Sequence, residues 1–111
     1  MIDASRAYRA GASHRSLRAQ EAEVFQVTNA TLRAARSAGT LEQARALADN
    51  RRLWTTVNDL MRDPANALPV GLRAAIFSVG LAVQREMERT TPSFDFLIAI
   101  NENLAAGLAA G

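Results

Sequence analysis

The chain of 111 residues is long enough to bury one core and too short for two. Hydrophobic residues make up 49% and charged residues 22%, with no run of eighteen apolar residues and no cysteine; a soluble globular chain is implied, and membrane spans, disulfides, thiolate catalysis and thiolate metal sites are excluded. The sequence pI of about 10.4 accompanies a net charge of only +2, because all 13 basic residues are arginines and almost nothing else titrates above neutrality, so the pI is no sign of a nucleic-acid binder.

The N-terminus, "MIDASRAYRAGASHRS", has no apolar core between a basic start and a cleavage site, so a secretory signal is not expected and the cytoplasm is the expected location. Residues 1–16 read as a short helix or loose arm, and the segment from Arg6 to Arg18 is basic without acids. Beyond it, alanine is abundant, β-branched runs are missing and no segment alternates for long, which favours helix throughout. The first long helix is expected from about Leu17 to Ala38, with Leu17, Val24, Thr28, Leu32 and Ala35 on its apolar stripe and Gly39 as the left-handed residue that ends it. Thr40 with Gln43 fits a capping box opening a second helix that continues through Arg62. "DPANALP" is a loop whose Pro69 suits the first turn of a third helix, which runs to about Arg89. "TTPS" breaks the chain again, with Thr91 or Ser93 as cap, and a fourth helix carries Phe96, Leu97, Ile100, Leu104 and Leu108. Short connections favour antiparallel neighbours. The expected fold is all-α: one domain, 1–111, an up-and-down bundle of about four long helices with the N-terminal arm.

On the second helix, Leu47, Leu53, Trp54, Val57, Leu60 and Met61 share one arc that includes Asn50. Trp54 is then a core residue. Arg51 borders that face, while Arg52 points away with Thr56 and Asp59. A carboxamide inside an apolar stripe needs partners, and Asn101, beside the stripe of the fourth helix, is a candidate mate; Asn50 either sets register or offers a bond to a bound helix. The third helix has two apolar faces, one of Leu72, Ile76, Val79, Val83 and Met87 and another of Val70, Phe77 and Leu81. Either it sits centrally or its second face is open to a partner.

No catalytic constellation emerges. His14 is the single histidine and has no second ligand near it; Glu21 with Glu23 and Glu86 with Glu88 are two residues apart and diverge on a helix; the glycines are isolated. No enzyme activity, cofactor or metal is expected.

Several stretches together resemble the alphaproteobacterial FlaF family of flagellar biosynthesis regulators: Tyr8 in the arm, "EVFQVTNATLRAA" from Glu23, "LADNRRLWTTVNDL" from Leu47, "NALPVGLRAAIFSVGLAV" from Asn66 and "LIAINENLAAGL" from Leu97. The most specific pieces are "NRRLW", the following "NALP" with its "LR", and the late "IN". Where members often carry a second tryptophan in the third helix, this chain has Leu81, Ala82 and Val83. The resemblance implies a small cytoplasmic protein that binds flagellin as a secretion chaperone and promotes flagellin synthesis, opposing FlbT, a repressor of flagellin mRNA. The residues expected to meet such a partner are Asn50, Arg51, Trp54, Phe77, Leu81, Asn101, Leu104 and Leu108, either in the groove beside the third helix or near Arg51 and Trp54. The alternative is an RNA-binding regulator that contacts the flagellin message through the arginine-rich arm.

Overall fold

A computed structural model describes residues 22–110, with side chains to residue 107. The arm over 1–16 and the expected helix start near Leu17 lie outside the described residues. Among those described there are four helices and no strand: α1 over 22–35, α2 Thr40–Arg62, α3 Val70–Met87 and α4 Phe94–Ala110.

The inward face of α1 is Ala22, Phe25, Thr28, Asn29, Leu32 and Ala35. Val24, expected on that face, is 50% exposed, and the neighbouring Phe25 is buried in its place. The larger aromatic wins because it stands edge-on to Trp54, centroids 6.0 Å apart at 77°. The helix also ends sooner than its pattern suggests, in a turn over 36–38 where Ala38 N–H donates to Ala35 O. Gly39 does not take the expected left-handed conformation. At φ −76° and ψ 172° it is extended, and it serves as the N-cap of α2, its carbonyl accepting the Gln43 N–H. Thr40 is therefore already helical and forms no capping box; the Gln43 carboxamide instead donates back to Arg36 O at 3.3 Å, tying the α1–α2 turn.

Two side chains order the α2–α3 link. Asp63 and Asn66 each accept the N–H two residues on, and Asn66 Nδ2 donates to Leu60 O at 2.8 Å. Pro69, expected in the first helical turn, sits one residue earlier as N-cap, with its carbonyl accepting the Arg73 N–H. α3 stops at Met87, two residues short of Arg89. Of the two caps open for α4, the structure uses Ser93. Its Oγ accepts the Phe96 N–H at 3.2 Å, while its own N–H donates to Glu86 Oε2 at 2.9 Å. Ser93→Ala is expected to cost about 1 kcal/mol in urea unfolding and Thr91→Ala nothing measurable, since only the first removes a cap; equal losses at both sites would contradict this assignment.

α2 and α3 run antiparallel. Stepping back along α2 from Arg62 to Asn58 to Asn50 steps forward along α3 from Phe77 to Gly80 to Met87. The shared core is Phe25, Leu32, Trp54, Val57, Val83, Met87, Leu97 and Ile98, with small Ala35, Ala46 and Ala105 filling the rest. Where α2 and α3 pass closest, Asn58 lies against Gly80: a Cβ there would stand 2.0 Å from Asn58 Oδ1.

Candidate functional site

Asn50, Trp54 and Asn101 are fully buried and meet at the centre of the bundle. Trp54 Nε1 donates to Asn101 Oδ1 at 2.8 Å, Asn101 Nδ2 donates to Asn50 Oδ1 at 2.8 Å, and Asn50 Nδ2 donates to Met87 Sδ at 3.3 Å. The direction of this relay is set at one end. An indole can only donate, so Asn101 must turn its oxygen to Trp54 and its amide to Asn50, and Asn50 in turn aims its amide at the thioether. The mate that the pattern suggested for Asn50 is the one it has. Asn101, expected beside the stripe of α4, stands at its centre with Leu97, Ile98 and Ala105.

This geometry bears directly on which residues can meet a partner. Asn50, Trp54 and Asn101 are enclosed, and a partner reaches them only when a helix moves away. Leu104 is half-buried at the core edge, and the Leu108 side chain lies outside the described residues. Arg51 and Arg52 are exposed and diverge, Arg52 pairing with Asp49 one turn back. An enclosed tryptophan beside diverging arginines offers no stacking platform for a base.

The outer face of α3 is different. Val83 and Met87 are buried, and Ile76 and Val79 pack on the core, so that stripe faces inward, with only Leu72 emerging at 47% exposure. On the other side Val70 is 72% exposed, Ala74 is exposed and Leu81 is 39% exposed, at helical spacing along one line. Phe77 lies at its border, half-buried, with the Arg62 guanidinium 5.8 Å from its ring centroid. Arg62 is itself held by Asp59 at 2.7 Å. Among the described residues nothing covers Val70, Ala74 and Leu81 of the second apolar stripe of α3, and Phe77 lies half-buried at its border.

Three positions escaped the sequence reading: Asn29, Asn58 and Gly80. Asn29 is buried and donates from Nδ2 to Ile98 O at 3.0 Å, bridging α1 and α4. Its place one turn from Phe25 and Leu32 was a usable signal. Asn58 and Gly80 gave none, since each matters only because the other faces it. Among the described residues no group of acidic or histidine side chains is placed to hold a metal ion, and no helix is long and apolar enough to cross a membrane.

Compared with known protein families, residues 4–108 match the family described as flagellar protein FlaF. Neither a curated protein nor a solved structure matches the chain significantly.

Proposed function

The chain belongs to the FlaF family of flagellar proteins, and on that premise we propose that it is a non-enzymatic, cytoplasmic flagellin chaperone. It captures a helical segment of unpolymerised flagellin on the outer stripe of α3 and so promotes flagellin synthesis against the repressor FlbT. The observation that carries this reading is the line of Val70, Ala74 and Leu81, exposed among the described residues and bordered by the half-buried Phe77, on a helix whose other face is already committed to the core. Filament-forming segments that are helical and apolar need a reversible cover before export, and a second apolar stripe supplies one without disturbing the bundle.

The test is calorimetric titration of monomeric flagellin into the full chain, with the flagellin mRNA leader as a parallel ligand. Leu81→Asp places a carboxylate at the C-terminal end of the stripe, at a position already open to solvent. Flagellin affinity is expected to fall at least about tenfold, an effect on the order of 1.4 kcal/mol, with circular dichroism and melting unchanged. Binding by the unmodified chain should show a negative heat-capacity change and little salt dependence. Unaltered affinity in Leu81→Asp removes the α3 stripe as the docking face. Steeply salt-dependent binding of the leader with silence toward flagellin replaces the chaperone reading with an RNA-binding one.

A further inference from the structure

What holds α4 in place differs in kind from what holds α2 to α3. Its seam with α1 is closed at the rim by the ion pairs Arg33–Glu102 and Arg36–Asp95, whose side chains are 46% to 77% exposed, and exposed pairs of this sort add little. Beneath them lies a cleft of about 230 Å³ lined by Gln26, Asn29, Arg33, Glu102, Ala105 and Ala106, where two alanines leave the space unfilled. Asn29 Oδ1, buried in the same seam, has no donor among the described residues. Along α4, Leu97, Ile98 and Ala105 are buried, Phe94, Ile100 and Leu104 are half-covered and Phe96 is 37% exposed. By contrast α2 and α3 touch directly at Asn58 and Gly80.

At its centre, beside the buried Leu97, Ile98 and Ala105, the polar link from α4 to α2 is one side chain. Trp54 presents a donor and Asn50 an acceptor, and Asn101 satisfies both at 2.8 Å. A carboxamide is the group that carries an acceptor and a donor side by side on one plane, so an incoming helix with a carboxamide at that position restores both bonds, and one without it leaves both groups unpaired.

We infer that α4 is an exchangeable strap, and that the surface it covers around Trp54 and Asn50 is a docking site for an amphipathic helix carrying a carboxamide in the middle of its apolar stripe. α4 occupies this site as a built-in ligand. The site is separate from the outer face of α3 and does not depend on it.

The experiment uses the full chain and a synthetic peptide with the sequence of Phe94–Ala110, followed by hydrogen exchange with mass spectrometry and by anisotropy of the labelled peptide. The amides of α4 should exchange at least about tenfold faster than those of α2. Saturating peptide should raise exchange in the chain's own α4 while α2 stays protected, and the N101L peptide should compete at least about tenfold more weakly, as expected when two buried polar groups lose their partners. The chain has no cysteine, so Arg36→Cys with Asp95→Cys can be joined selectively by a short bis-maleimide, which should abolish peptide binding. Exchange of α4 in step with α2, an unmoved α4 at saturating peptide, equal competition by the two peptides, or undiminished binding to the linked chain each overturns the proposal. None of these measurements uses flagellin, so their failure is distinguishable from failure of the α3 reading.

Discussion

Trp54→Ala is expected to remove most of the stability of this protein. The side chain is fully buried, packs edge-on against Phe25 and holds the donor end of the relay through Asn101 and Asn50. Truncating a buried tryptophan costs about 3–5 kcal/mol, against a total of about 5–15 for a domain of this kind, and should lower Tm on the order of 20 °C. The packing and polar parts of that loss can be separated. Trp54→Phe keeps most of the apolar volume and deletes the N–H, leaving Asn101 Oδ1 buried without a donor; it should still cost about 2 kcal/mol in urea unfolding. Combining it with Asn101→Leu should be less than additive, because both changes delete the same hydrogen bond. A Trp54→Phe variant within about 0.5 kcal/mol of the parent would show that the relay contributes nothing and that Trp54 acts by volume alone.

At Gly80 the expected effect runs against helix propensity. Glycine to alanine inside an exposed helix normally stabilises by about 0.5–1 kcal/mol. Here the new Cβ would stand 2.0 Å from Asn58 Oδ1 and 2.9 Å from its Cγ, distances that force either the Asn58 side chain or the whole α2–α3 contact to move. Overpacking of this kind costs about 1–3 kcal/mol and outweighs the gain, so Gly80→Ala should destabilise. Gly71, also in α3, has nothing within 4 Å of its Cβ position, and Gly71→Ala should be neutral or stabilising. The informative variant is the pair Gly80→Ala with Asn58→Ala. Asn58 Oδ1 accepts no hydrogen bond among the described residues, so removing it sacrifices little, and the pair should recover the stability that Gly80→Ala loses. A double variant as unstable as Gly80→Ala alone would mean that the helices, not the asparagine, meet the added carbon.

The two variants together mark where sequence patterns stop. Helix period reads one chain segment at a time, so it located the end of α2 at Arg62 and its cap to within one residue, and put Trp54 and Asn50 on one face of it. It also named Asn101 as a candidate mate of Asn50, because a buried carboxamide needs a partner and a second one lay next to the stripe of the fourth helix. The same reasoning misplaced Val24, since two adjacent apolar residues on α1 each extend a plausible stripe and only the position of Trp54 selects Phe25. It misjudged Gly39 for a related reason. A glycine after a helix and before another can close the first or open the second, and the backbone chose to open α2.

Composition and periodicity by themselves determined that this is an all-α protein with breaks near Gly39, Pro69 and Ser93, because arginine-rich, alanine-rich, amphipathic segments have one economical way to satisfy their backbones. Family membership was also legible in "NRRLW", "NALP" and "IN". The tertiary structure alone decided which of the two apolar stripes of α3 faces inward, because both have the same period and differ only in what lies opposite. It alone paired Asn58 with Gly80, for a close approach between helices depends on the absence of a side chain and leaves no periodic trace. And it alone moved Asn50, Trp54 and Asn101 from a candidate surface to the centre of the bundle, where their hydrogen bonds are satisfied by one another.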